Sequence, residues 1–159
     1  MKSYITNSSA ETKKLGELLA RELYGGEIIC LSGELGSGKT TFAQGLLKGL
    51  KIKGPHTSPT FVIIKQYHVA RNTKHITNKK SELLRDMCYV LCDIYHIDAY
   101  RVTAKDILNL GWGEIIKDKS NIIIVEWADR IRKIIPKGAT RIKFEWVSEN
   151  KRKITLMSS

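Results

Sequence analysis

The chain is poor in the residues that would suggest an extracellular, membrane or disordered protein. Of its 159 residues three are proline and three cysteine. So few prolines argue against a long disordered tract. Cys30, Cys88 and Cys92 form an odd set without a CxxC pair, and each falls in an apolar, strand-like stretch. That usage fits reduced, buried thiols of a cytoplasmic protein, and no Cys or His spacing suits a zinc site. The opening stretch MKSYITNSSAETKK has no apolar signal core. No run approaches the roughly 18 apolar residues of a membrane span, so no membrane association is expected. Acids are scarce too: 16 Asp and Glu stand against 27 Lys and Arg, a formal charge of +11. Such a surface should attract polyanions, whether nucleic acid, an acidic protein or nucleotide phosphates, although a merely well-solvated basic surface would read the same way.

What is present suffices for one core. Hydrophobic residues make up 42% of the chain, and the length suits one domain spanning 1–159. Residues 8–24 read as an amphipathic helix: Ser8 and Glu11 fit a capping box, Leu15, Leu18, Leu19 and Leu23 form a stripe, and Gly25-Gly26 stops it. EIICLS (27–32) reads as a buried strand, followed by a glycine loop and a helix from about Lys39 to Leu50. SPTFVIIKQY (58–67) reads as a loop entering a strand, 68–87 as a basic insertion or long hairpin loop, and CYVLCDIYHI (88–97) as a second strand. A helix over 103–110 ended by Gly111, a strand NIIIVEW (121–127), a short helix in RIRKIIP and a closing antiparallel hairpin, TRIKFEWV with KRKITLMS, complete the pass. Strands alternating with helices predict an α/β domain, with a mixed central sheet flanked by helices.

GELGSGKTT carries the chemistry. Gly33-x-x-x-x-Gly38-Lys39-Thr40 matches the phosphate-binding loop in full, with a strand before it and a helix after it. Glycines let amides turn inward around phosphate oxygens, and the helix N-terminus adds unpaired N–H donors and a positive dipole end. Glu34, Leu35, Gly36, Ser37, Gly38, Lys39, Thr40 and Thr41 are therefore the nucleotide-binding candidates. Lys39 would reach the β- and γ-phosphates of a nucleotide, and the Thr40 hydroxyl would ligate Mg²⁺. Two acids end apolar strands where such a site needs a carboxylate: Asp98 in IYHIDAYR and Glu126 in IIIVEW. Either alone could be a capping or ion-paired acid; together beside the loop they suggest a metal-and-water site.

The blocks GELGSGKTTFAQGL, SPTF, YHIDAYR, LGWGEII and IIIVEWADR, in that order, resemble the TsaE (YjeE) family of P-loop ATPases, over about residues 8–135. The resemblance implies an ATP-hydrolysing accessory subunit in forming threonylcarbamoyladenosine on tRNA, acting with the TsaD–TsaB transferase and contacting tRNA indirectly or through its basic surface. It implies Lys39, Asp98 and Glu126 as the catalytic set, with Thr40, Asp98 and Glu126 near Mg²⁺. Glu126 would hold metal or orient water. Thr60 becomes the candidate hydroxyl of a switch loop, and Trp127 a residue beside the bound nucleotide, whereas Trp146 reads as core. His96 reads as structural. Arg101 is open between phosphate contact and loop support. The 68–87 stretch is longer than the family pattern, and Ala128 stands where proline is common. A small-molecule kinase and a basic RNA-binding module with a regulatory nucleotide site are the other readings of the same residues. Nothing in the chain clearly supplies an arginine finger.

Overall fold

A computed structural model describes residues 1–56, 59, 62–73 and 88–157. Seven strands, β1 Lys2–Thr6, β2 Ile28–Gly33, β3 Ile64–Thr73, β4 Cys88–Asp98, β5 Ile122–Glu126, β6 Thr140–Trp146 and β7 Arg152–Met157, form one sheet in the order β1-β7-β6-β2-β5-β4-β3. β2 lies at its centre, parallel to β5 and β6, and β4 runs parallel to β5. The outer pairs β3–β4, β6–β7 and β1–β7 are antiparallel. The fold is α/β with a mixed sheet and a C-terminal antiparallel hairpin, as the alternation of elements predicts.

The central strands are apolar on both faces because helices cover both. Ile29, Leu31, Ile122 and Ile124 face helices α1, Ser9–Leu19, and α2, Lys39–Gly49. Ile28, Cys30, Ile123 and Val125 face a second layer containing Ile107, Trp112, Ile131 and Ile135. That layer comes from α3, Ala104–Asn109, α4, Trp112–Lys117, and a 3₁₀ turn at Ala128–Ile131.

Helix α1 and the turn after it keep most of the leucine stripe, since Leu15, Leu19 and Leu23 pack on the core, but small residues form its closest contact. Ser8 caps it by accepting from the Glu11 amide, but the Glu11 carboxylate reaches past Ser8 to the Asn7 amide. Thr12, Gly16 and Ala20 line the buried face, with Leu15 and Leu19 partly buried, and Leu18 is turned out to solvent. The reason is close approach. A Cβ on Gly16 would lie 2.4 Å from the Phe42 carbonyl oxygen, and one on Gly45 2.1 Å from that of Lys13. Small residues let the two backbones meet, so α1 presents them where it touches α2.

Other expectations shift as well. β1 is an added edge strand, and His68–Thr73 continue β3 rather than opening a loop. Residues 74–87, the remainder of the basic insertion, lie outside the described residues, as does the Cys88 side chain. Gly111 ends α3 as expected, at φ 87°, but it also opens an unexpected second helix, α4, whose fully buried Trp112 donates its indole N–H to the Ile134 carbonyl. The turn expected in RIRKIIP begins earlier, at Ala128. Trp146 is 57% exposed at the end of β6 rather than core. It lies beyond the last residues of the sheet that the helices cover.

Candidate functional site

β2 delivers the chain to the top of the sheet, where Gly33 must turn sharply. Its φ is 142°, and a Cβ there would meet the Phe144 carbonyl oxygen at 2.3 Å, so only glycine fits. Gly36 and Gly38 adopt φ of 74° and 100°, curling the loop into the first turn of α2. No side chain caps that helix end, which leaves its first amides and its positive dipole end for an anion.

Lys39 is almost fully buried despite its charge. Its ammonium donates to the carbonyls of Gly33 at 2.8 Å and Glu34 at 2.7 Å, and lies 3.6 Å from the centroid of the Trp127 ring. Burial pulls the lysine below its ordinary pKa, while the carboxylates of Glu126, Asp129 and Asp98 act the other way. Trp127 reaches this position because its backbone turns left-handed (φ 58°) immediately after β5. Tyr100 packs against the Trp127 ring, with centroids 4.7 Å apart.

The two acids come together through register. Asp98 of β4 pairs with Glu126 of β5, so both end their strands side by side on the α2 face. Thr40 Oγ1 donates to Glu126 Oε2 at 2.6 Å, and His96 Nε2 lies 2.8 Å from Oε1. A carboxylate only accepts, so with Glu126 ionised the proton sits on His96 Nε2. The fully buried His96 has no hydrogen-bond partner at Nδ1 among the described residues. Asp98 accepts from the Tyr100 amide at 2.9 Å, which shapes the turn leading away from β4.

A cleft of about 260 Å³ opens over this floor. Its walls include Gly38, Thr40, Thr41 and Trp127, and also residues that sequence reasoning missed: Ser8, Ser9 and Thr12 from the start of α1, and Glu149, Asn150 and Arg152 from the β6–β7 hairpin. Arg152 donates through Nε to the Gly36 carbonyl at 3.1 Å and through Nη1 to carbonyls of its own hairpin, pinning the phosphate loop to it. No local motif marks Arg152; a contact spanning 116 residues has no sequence signal. Leu35 is 78% exposed at the tip of the loop, and Ser37 is fully buried beneath it. Lys39, Thr40, Asp98, Glu126 and Trp127 thus converge, and Thr60 lies outside the described residues.

The donor set suits a polyphosphate with a hard cation. Among the described residues no three His, Cys, Asp or Glu side chains converge as a metal cage. A divalent ion here would share the Thr40 hydroxyl, a carboxylate, phosphate oxygens and water, which is how Mg²⁺ is usually held.

A glycine-rich loop between a central parallel strand and a helix, facing acids at the ends of neighbouring strands, defines a P-loop nucleoside-triphosphatase fold. Known proteins narrow it further. The family model described as "Threonylcarbamoyl adenosine biosynthesis protein TsaE" matches residues 6–154, and the chain belongs to that family. It is 36% identical over 160 residues to the "tRNA threonylcarbamoyladenosine biosynthesis protein TsaE" of Aquifex aeolicus, covering 98% of this chain and 96% of that one. It is 31% identical to the protein of the same name from Bacillus subtilis, covering 94% and 81%. Among solved structures it resembles the crystal structure of Bacillus subtilis YdiB, with a TM-score of 0.68 and 27% identity over 99% of this chain and 84% of that one. Among the described residues no helix is long and apolar enough to cross a membrane.

Proposed function

We propose that this chain is a Mg²⁺-dependent ATPase that serves as an accessory subunit in threonylcarbamoyl modification of the tRNA adenosine beside the anticodon. It would work in the cytoplasm with a TsaD–TsaB-like transferase. The observation that carries the ATPase reading is the 2.6 Å contact between the Thr40 hydroxyl and Glu126, set at the uncapped head of α2 with Lys39 alongside. The pathway reading rests on family membership and the names of the relatives.

Each residue has a task in this reading. Lys39 and the amides of Glu34 to Thr41 bind the phosphates and neutralise charge developing on the γ-phosphoryl group. Thr40, Asp98 and Glu126 hold Mg²⁺ directly or through water, and bound Mg²⁺ supplies further charge stabilisation. The carboxylate of Glu126 is also placed to orient the attacking water. His96 keeps that carboxylate in place through Nε2. Trp127, freed from Lys39, offers its ring face to the nucleotide. Arg152 holds the loop through a backbone carbonyl instead of acting as an arginine finger, so hydrolysis by the chain alone is slow and the partner completes the site.

Phosphate release from Mg-ATP tests this, with and without the TsaD–TsaB pair, for wild type, Lys39→Ala and Glu126→Ala. Weak release that rises with the pair and disappears in both variants is the expected result. Release that the pair does not change, and that both variants retain, would defeat the proposal.

A further inference from the structure

Away from the nucleotide cleft, residues 130–144 contain six cations, Arg130, Arg132, Lys133, Lys137, Arg141 and Lys143, and no acid. The segment is not a loose basic tail. Ile131, Ile135, Ala139 and Ile142 are buried along it and fasten it to the sheet. That anchoring leaves Arg132, Lys133 and Lys137 exposed, with Arg141 half-buried beside them. Among the described residues Arg132, Lys133, Lys137 and Arg141 form no ion pair, whereas Lys143 shares Glu145 with Lys153.

Position makes these charges one surface. The chain leaves β5 beside the cleft, crosses the face of the sheet opposite α1 and α2, and re-enters as β6 at the far end. Arg141 shares that face with Cys30, whose thiol senses its charge. Lys143, two residues on along β6, lies on the same face as Arg141 and extends it. At the cleft end the strip starts with Arg130, which hydrogen-bonds the Tyr100 carbonyl and lies 5.3 Å from the centre of that ring.

We infer that this strip is a docking face for the phosphate backbone of an RNA. An acidic protein surface offers the same charge, but a protein interface normally carries an apolar or aromatic centre inside its polar rim. Here no large hydrophobic side chain of the crossing segment itself, residues 130–143, is exposed among the described residues; the exposed Leu108, Leu110 and Trp146 lie outside it. Rigidly mounted cations without such a centre match a polyphosphate backbone, where neutralised phosphates release counterions and supply the affinity. The inference rests on the strip alone and stands whether or not the chain hydrolyses ATP.

Fluorescence anisotropy of a labelled tRNA transcript, titrated with the full-length chain across salt concentrations, tests it. Arg132→Glu, Lys133→Glu and Lys137→Glu are introduced together; among the described residues none of these exposed side chains has an ion-pair partner, and circular dichroism checks that the variant is folded. A control triple, Lys2→Glu, Arg21→Glu and Lys53→Glu, makes the same change in net charge away from that face. Affinity should fall at least tenfold in the strip variant, with the salt slope shallower by about 2–3, since each lost phosphate contact removes close to one unit. The control should stay within about threefold of wild type. No binding by wild type, equal losses in both triples, or displacement of the RNA by polyglutamate at equal charge would each overturn the inference.

Discussion

Replacing Gly45 by alanine should destabilise the protein, although the same change in an ordinary helix would stabilise it. In an exposed helix interior alanine is better than glycine by about 0.5–1 kcal/mol. At Gly45 the added Cβ would sit 2.1 Å from the Lys13 carbonyl oxygen and 2.9 Å from its carbon, whereas ordinary contact begins near 3.4 Å. The atoms in the way are backbone, and α1 is fastened by the Ser8 cap and by the buried 2.7 Å bond between Thr6 and Thr12. Relief therefore requires moving one helix away from the other by an appreciable fraction of the 1.3 Å shortfall (3.4 − 2.1). Overpacking of this kind costs about 1–3 kcal/mol, and a backbone obstacle belongs at the upper end. The net loss is about 1–2 kcal/mol. For a chain of this size each kcal/mol lowers Tm by about 2–4 °C, so a drop of about 2–8 °C is expected. Gly113 is the comparison, because a Cβ there meets nothing within 4 Å. Gly113→Ala should leave Tm unchanged or raise it slightly. Differential scanning calorimetry of the two variants decides, and a Gly45→Ala protein as stable as wild type would refute the account of the α1–α2 contact.

Other perturbations probe the site. His96→Ala removes one of the two donors to the buried Glu126 carboxylate and should cost about 1–3 kcal/mol in urea unfolding; an unchanged midpoint would show that the 2.8 Å contact carries no stability. Adding Mg-ADP should alter tryptophan emission through Trp127, so Trp127→Phe should abolish the change and Trp146→Phe should retain it; the reverse pattern would place the nucleotide elsewhere. Burial pushes the Cys30 thiol up to about 11 from 9.0, so the folded chain binds the extra proton between those values. The associated stability is complete below pH 9 and lost as pH rises through about 11. Against Cys30→Ala, wild type should lose relative stability in urea unfolding across that window, and parallel curves would contradict it.

The phosphate loop was legible because every requirement on it is local: a strand, glycines that free the backbone, a lysine, and a helix start. Glu126 and Asp98 were legible for a related reason, since an acid closing an apolar run declares a strand end. Residues that reach the cleft from afar were not. Ser8 and Thr12 look like ordinary helix-start residues, and Arg152 like one more cation on an exposed hairpin; only the sheet order brings them to the loop. The leucine stripe of α1 was right for Leu15, Leu19 and Leu23 and wrong for Leu18, and it missed the small residues between them. Periodicity counts bulk, whereas the α1–α2 contact rewards its absence at Gly16, Gly45 and Gly49. β1 escaped because an edge strand of five residues, four of them exposed, has no hydrophobic pattern to show.

One consequence follows from the lysine at the loop. Its ammonium is held by two carbonyls of its own loop and the face of an aromatic ring, so an incoming anion meets a rival already seated. Displacing that rival takes a ligand with several negative oxygens acting together. Inorganic phosphate and AMP would bring fewer, while a diphosphate or triphosphate could replace the carbonyl, Ser37 hydroxyl and ring contacts together. If the loop binds nucleotide as proposed, the arrangement would favour ligands by charge number over small anions.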